Sequence, residues 1–234
     1  MGLDKTYEET LRLGVRTDSD DAVGEIVQTT DASGIAATQI ATGVAALTGR
    51  IAQVPSTVSA IKVGGRRAYD LARAGEQVEL TPREVTVSRF EVIGSECSGS
   101  VLDLEVVVDC SSGTYIRALA RDLGAGLGVG GHLTALRRTH VGPFDVSAAS
   151  GVDAIDATAL LSPAAVASAV LGRVDVTADE ARDLRHGRRL AAAAVRLDGR
   201  PRSAAIDPEG RLVGVVERRG ADLKSAMNMS EAAP

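Results

Sequence analysis

The chain has 234 residues, a net charge of −5, two cysteines, three tyrosines, two phenylalanines and no tryptophan. No apolar run reaches the roughly 18 residues of a membrane helix, and Met1–Tyr7 lacks the apolar stretch of a secretory signal. Cys97 and Cys110 are too few for a disulfide framework or a four-ligand zinc site, which leaves a cytoplasmic protein with one main domain and room for a small second one.

The first predicted element is a strand over Thr6–Leu13, containing Tyr7, Leu11 and Leu13. Residues 14–24 read as an acidic loop around Thr17-Asp18-Ser19-Asp20-Asp21. Gly24 sits wrongly for a calcium loop and no bidentate glutamate follows, so a solvated loop is expected and no metal. A helix is expected over Ile35–Leu47, with Ser33 as cap and Gly49 as stop. After Gln53-Val54-Pro55-Ser56 come a short strand to Val63, a Gly64-Gly65 turn and an amphipathic helix over Arg66–Arg73. Val85–Ile93 and Val101–Cys110 read as an antiparallel hairpin. A helix from Thr114 to Gly124, a glycine loop, a helical His132–Arg138 and a strand over Thr139–Val146 complete this part.

Composition changes near Ser150. An alanine-rich stretch over 154–169 reads as a connecting helical segment interrupted at Pro163. Strand patterns follow at Arg188–Arg196, Arg202–Ile206 and Leu212–Val216, with a turn at Asp207-Pro208-Glu209-Gly210. The expected organisation is a domain over 1–150, a connector over 151–172, a small β-rich module over 173–219 and a disordered tail over 220–234. The fold class is α+β, with a largely antiparallel sheet and flanking helices.

Overall acidity does not exclude a polyanionic partner, because the charge is unevenly spread. Residues 1–34 carry net −5, whereas 62–73 and 117–138 each carry net +3. Local patches govern phosphate contact. The most informative stretch is Cys110-Ser111-Ser112-Gly113-Thr114-Tyr115-Ile116-Arg117. A strand, a Ser/Gly turn and a helix start there bring backbone N–H groups, an aromatic ring and a permanent cation together, which suits a planar, phosphate-bearing ligand. A turn whose tyrosine packs and whose arginine pairs with a carboxylate fits the same residues. Gly128-Val129-Gly130-Gly131 lacks the frame of a dinucleotide site, and His132, His140 and His186 show no ligand spacing.

Tyr7 leading into Leu11-Arg12-Leu13-Gly14, the acidic loop ending at Gly24, Val54-Pro55-Ser56 through Tyr69, Cys110 to Gly124, and Leu136-Arg137-Arg138 form an ordered set of blocks. Over about residues 3–218 this set resembles the bacterial tRNA pseudouridine-55 synthases of the TruB type, in their actinobacterial form. The C-terminal module resembles their small PUA-like RNA-binding domain. The resemblance implies an isomerase that flips one uridine from the T arm of tRNA, breaks its N1–ribose bond and rejoins C5, with no cofactor and no metal. It implies that Tyr7 stacks on the flipped base, that Arg117 holds the catalytic aspartate, and that Tyr115 and Leu136 line the pocket. It also implies that Lys62, Arg66 and Arg67 belong to a thumb over the T loop, that Arg137 and Arg138 extend the basic face, and that the protein acts as a monomer.

One departure accompanies the resemblance. The family's nucleophile lies in a block of the type Gly-x-Leu-Asp-Pro-x-Ala-Thr-Gly, and no such block occurs in the 234 residues. Asp207-Pro208 is in the C-terminal module, and Asp4 is on the wrong side of the strand carrying Tyr7. The expectation is a pseudouridine synthase truncated at its N-terminus. The alternative is an RNA-binding remnant without chemistry.

Overall fold

Alternation along Lys5–Leu13 (β1) buries Leu11 and Leu13 on one face, as expected of a half-covered strand. A computed structural model describes residues 2–56, 62–63, 66–67 and 80–230, the four residues from 62 to 67 as backbone only. After β1 come Val15–Thr17 (β2), Ile26–Thr29 (β3), helix Ala37–Ala46 (α1) and Gly49–Gln53 (β4). Lys62–Val63 (β5) pairs with Arg66–Arg67 (β6). Then follow Arg83–Ser98 (β7), Val101–Cys110 (β8), helix Ile116–Gly126 (α2), Gly131–Val141 (β9) and Phe144–Asp145 (β10). Six strands form one sheet in the order β10-β9-β1-β8-β7-β4, with every neighbouring pair antiparallel.

One face of this sheet carries the core. Leu11, Leu13, Leu104, Val106 and Val108 pack with Ile40 and Val44 of α1 and with Ile116, Leu119 and Leu123 of α2. Each such side chain contributes about 1.5–3 kcal/mol on burial. The opposite face is polar, crossed by Thr6–Asp109, Arg12–Asp103 and Arg89–Asp109 contacts of 2.6–2.8 Å. Helix α2 is pinned at its C-terminal end, because Gly124 lies where a Cβ would sit 2.2 Å from the Gly130 carbonyl carbon and 2.3 Å from the Gly131 nitrogen.

Several sequence expectations change. His132–Arg138 is strand, not helix: β9 pairs with β1 along its length, and a bulge at Thr134, between the Leu11↔Leu133 and Thr10↔Ala135 pairs, creates the helix-like spacing of Leu133 and Leu136. Helix α1 starts after Ala36 instead of Ser33, and α2 runs past Gly124 to Gly126. Gly124 serves close packing there, not termination. Arg66 and Arg67 are strand residues instead of the start of a helix; residues 68–73 of that expectation and 58–61 of the preceding strand lie outside the described residues.

The chain divides into two compact units, Met1–Ala149 and Ser150–Pro234. In the second, Pro163–Leu171 (α3) and Ala178–Arg185 (α4) accompany a sheet ordered Arg173–Asp175 (β11), Arg202–Ile206 (β12), Leu212–Arg219 (β13) and Asp222–Asn228 (β14). Pro163 begins α3 instead of interrupting it, because Ser162 caps the helix by accepting the Ala165 amide, and proline suits a first turn. The helix packs on β11, β12 and β13, so it belongs to this unit and is no mere connector. The tail expected over 220–234 is also corrected: Leu223 is fully buried and β14 completes the sheet beside β13, while 231–234 lie outside the described residues. Arg188–Arg196 forms no strand beyond a single bridge from Leu190 to Leu223, and a short 3-10 turn follows at Ala194–Leu197.

Glu9 is the anomaly of the first core. It alternates with Tyr7 and Leu11, is 4% exposed, and pairs in register with Val106 and Leu136. Neither carboxyl oxygen has a hydrogen-bond partner among the described residues. Burial therefore pushes its pKa well above 4.5. A carboxyl whose folded pKa is raised contributes fully below its unfolded pKa, and that contribution is lost as pH rises through the folded value. Glu9→Gln is expected to gain on the wild type by up to about 1.4 kcal/mol per pH unit above 4.5, until the folded pKa is passed. Denaturant unfolding at pH 4, 6 and 8 measures this, and a difference that stays flat with pH excludes a buried neutral carboxyl.

Candidate functional site

The acidic segment after β2 is not a solvated loop. The Thr17 hydroxyl donates to the Asp21 carbonyl at 2.8 Å, the Ser19 hydroxyl to the Asp21 carboxylate at 2.6 Å, and the Val23 amide to the same carboxylate at 3.0 Å. Asp20 sits at φ 60, a left-handed conformation that aspartate tolerates better than most residues, and its carbonyl accepts the Leu133 amide of β9 at 3.0 Å. Gly24 closes the turn where a Cβ would meet the Ser19 hydroxyl at 2.2 Å. The loop is folded onto the sheet, and this corrects the sequence expectation.

Two of its carboxylates, Asp20 and Asp21, face helix α2. Asp21 pairs with Arg117 at 2.8 Å, and Asp20 pairs with Arg121 at 3.2 Å. Arg117 and Arg121 are one helical turn apart, so consecutive acids meet stacked cations. The two carboxyls are tuned in opposite directions. Burial raises the Asp20 pKa, more than Arg121 can offset. Burial also acts upward on Asp21, but the Ser19 hydroxyl, the Val23 amide and Arg117 outweigh it and hold the carboxyl below its usual range. Asp21 is thus a fixed anion that orients the Arg117 guanidinium.

Tyr115 precedes α2 as its N-cap residue and is half-buried. Burial raises its hydroxyl pKa, with Arg83 acting the other way. Tyr7 packs on the core cluster that includes Ile116 and Leu119, on the sheet face that α2 covers. The register sets Tyr7 opposite Arg138, Glu8 opposite Arg137 and Glu9 opposite Leu136. Tyr7, Leu136 and Arg138 therefore share one face, and Leu136 is 49% exposed on it. Arg137 points to the other face beside Glu8. The expectation of one basic surface from Arg137 and Arg138 is corrected by the two-residue period of the strand. Lys62, Arg66 and Arg67 are placed by backbone alone, as Lys62↔Arg67 and Val63↔Arg66 pairs, and their side chains lie outside the described residues.

Three family descriptions match this chain in succession: TruB family pseudouridylate synthase (N-terminal domain) over 1–116, tRNA pseudouridylate synthase B C-terminal domain over 117–174, and tRNA pseudouridine synthase II, C terminal, over 171–229. A protein of Leifsonia xyli called tRNA pseudouridine synthase B is 49% identical over 232 residues, covering 97% of this chain and 77% of its own length. One of Mycobacterium sp. (strain KMS) with the same description is 52% identical over 216 residues, covering 92% and 71%. The chain belongs to the TruB family of pseudouridylate synthases. Among solved structures, an H/ACA ribonucleoprotein bound to a substrate RNA containing 2'-deoxyuridine aligns with a TM-score of 0.62 at 19% identity, covering 97% of this chain and 66% of that one. A Cbf5-Nop10-Gar1 complex aligns at 0.60 and 21%, covering 98% and 66%. At such identity the likeness concerns the fold. The TruB family match places Tyr7, Asp20 and Asp21 in its N-terminal part and Arg117 at the first residue of the next.

Sequence reading singled out Arg117 but missed its pairing partner Asp21 and the second pair of Asp20 with Arg121. A usable signal was present: arginines at i and i+4 on one amphipathic helix, beside two adjacent aspartates in a turn punctuated by Thr17 and Gly24. Asp21→Asn is expected to destabilise the chain by about 1–2 kcal/mol at pH 7, after allowance for the partly exposed Arg117. Asp21 has a lowered pKa, so its contribution is present above 3.8 and lost as pH falls through the folded value. The gap between the denaturation midpoints of the two proteins should narrow as pH falls from 7 to below 3.8; a gap that does not narrow removes the ion pair from the explanation.

Proposed function

We propose that this chain supplies the base-holding and RNA-gripping parts of a tRNA pseudouridine-55 synthase acting on the T arm. What supports this reading above all is the Arg117–Asp21 pair at the head of α2, on the sheet face that also carries Tyr7, Leu136 and Arg138. A flipped pyrimidine needs a ring to stack on, an apolar wall, and fixed charge beside its glycosidic bond. Tyr7 is the stacking ring, Leu136 the wall, Tyr115 a further pocket residue and Arg117 the anchor of the nucleophilic carboxylate. Arg138, with Lys62, Arg66 and Arg67 on the paired β5 and β6, contacts phosphate.

The carboxylate that attacks the ribose or base is not supplied by Asp21, whose hydrogen bonds from Ser19 and Val23 and pairing with Arg117 already occupy it. Conversion therefore requires the aspartate block, which is not in these 234 residues. The second reading, RNA binding without turnover, describes what these residues do by themselves. We take the chain to act on tRNA as a monomer. No helix among the described residues is long and apolar enough to cross a membrane, and a tRNA substrate fits a cytoplasmic location.

Purified chain mixed with unmodified tRNA is expected to bind and to leave uridine 55 unconverted; turnover by the 234 residues alone overturns the view that the nucleophile lies elsewhere. In the same binding assay, Arg138→Ala should reduce the log–log salt slope by about one, while Arg137→Ala leaves it unchanged. Equal effects of the two would mean that the strand's inner face does not meet the RNA.

A further inference from the structure

We propose that Gln53 is a positioning residue for the reaction, holding the head of α2 so that Tyr115 and Arg117 face the base. The proposal rests on the reading of Arg117 as a site residue. Gln53 ends β4 and is 1% exposed, an unusual burial for an uncharged polar side chain of this size. Its Oε1 accepts the Tyr115 amide at 2.8 Å and its Nε2 donates to the Tyr115 carbonyl at 3.0 Å. One planar side-chain amide thus pairs with both backbone groups of one residue, as a neighbouring strand would.

The bond is placed where α2 is least able to hold itself. Tyr115 is the N-cap of the helix and makes no side-chain cap bond. Amides of the first turn have no intrahelical acceptor, so the entry angle of the chain depends on outside partners. Gln53 provides one, and Val54 provides a second tie farther along the helix, its carbonyl accepting from the Arg121 guanidinium at 2.6 Å. The end of β4 is thereby tied to α2 at Tyr115 and at Arg121. Between the ties lies Arg117, whose guanidinium must reach Asp21. A leucine at position 53 would fill similar space, remove the acceptor of the Tyr115 amide and one of the donors to its carbonyl, which the Ala118 and Leu119 amides also reach, and so loosen the entry to the helix.

Asp21 reports on this geometry without any need for turnover, because its lowered pKa depends in part on Arg117. Asp103 is a built-in control: its pKa is lowered by Arg12, on the opposite face of the sheet. Carboxyl carbon NMR titrations of the wild-type chain, Gln53→Leu and Gln53→Glu provide the test. In Gln53→Leu the Asp21 midpoint should move up toward 3.8 with Asp103 unmoved, and exchange of the Tyr115 amide should accelerate at least tenfold. Gln53→Glu keeps the acceptor and loses the donor, so Tyr115 exchange should stay slow while Asp21 shifts by a smaller amount; it also serves should the leucine variant fail to fold. An unmoved Asp21 in a folded variant overturns the proposal, and so does a joint shift of Asp21 and Asp103, which would mark general loosening. Neither result bears on whether Arg117 serves catalysis, which is decided by conversion assays.

Discussion

Two guanidiniums on one helix face, Arg117 and Arg121, meet two consecutive carboxylates, Asp21 and Asp20, and the arrangement of the catalytic unit follows from that meeting. For the acids to reach the helix, the loop must fold back onto β9, which it does through the Asp20 carbonyl and the Leu133 amide. The helix in turn must lie close to the sheet, which Gly124 permits by packing against Gly130 and Gly131 without a side chain between them. Loop, helix and strand are mutually dependent. Loss of any one separates carboxylate from guanidinium, at a cost of about 1–2 kcal/mol for a pair with a partly exposed arginine.

Asp20 and Asp21, adjacent in sequence, are tuned in opposite directions by their surroundings. Asp20, more deeply buried, faces an arginine already engaged with Asp122 and the Val54 carbonyl, and so serves as a tie. Asp21, richer in donors, keeps its charge and sets the direction of Arg117. An arginine aimed by a fixed anion is pre-organised: less side-chain entropy is lost when a further carboxylate or a phosphate binds it.

Strand geometry divides the basic residues by function. Adjacent arginines on β9 face opposite sides of the sheet, so Arg138 joins Tyr7 and Leu136 while Arg137 joins Glu8. Charge sums over a sequence window count them together, although only one shares the face of the candidate base site. Glu9, buried on that same face beside Tyr7 and without a hydrogen-bond partner among the described residues, has its pKa pushed up by burial.

Much of the fold was legible without coordinates. The hairpin of β7 and β8 and strand β1 follow from period-two alternation, and the family follows from ordered blocks around Tyr7, Arg117 and Leu136. Local pattern failed where a distant partner decides. The β9 bulge imitates helical spacing, β14 is too polar to reveal itself until β13 supplies its pairing, and Gln53 looks like any loop-flanking glutamine until Tyr115 is seen against it. Residue types and their spacing thus determined which elements can form and which chemistry is available, because those depend on neighbours along the chain. The partner of each charge and the face of each side chain were decided only in three dimensions, since ion pairs and strand register join residues as far apart in sequence as Asp21 and Arg117.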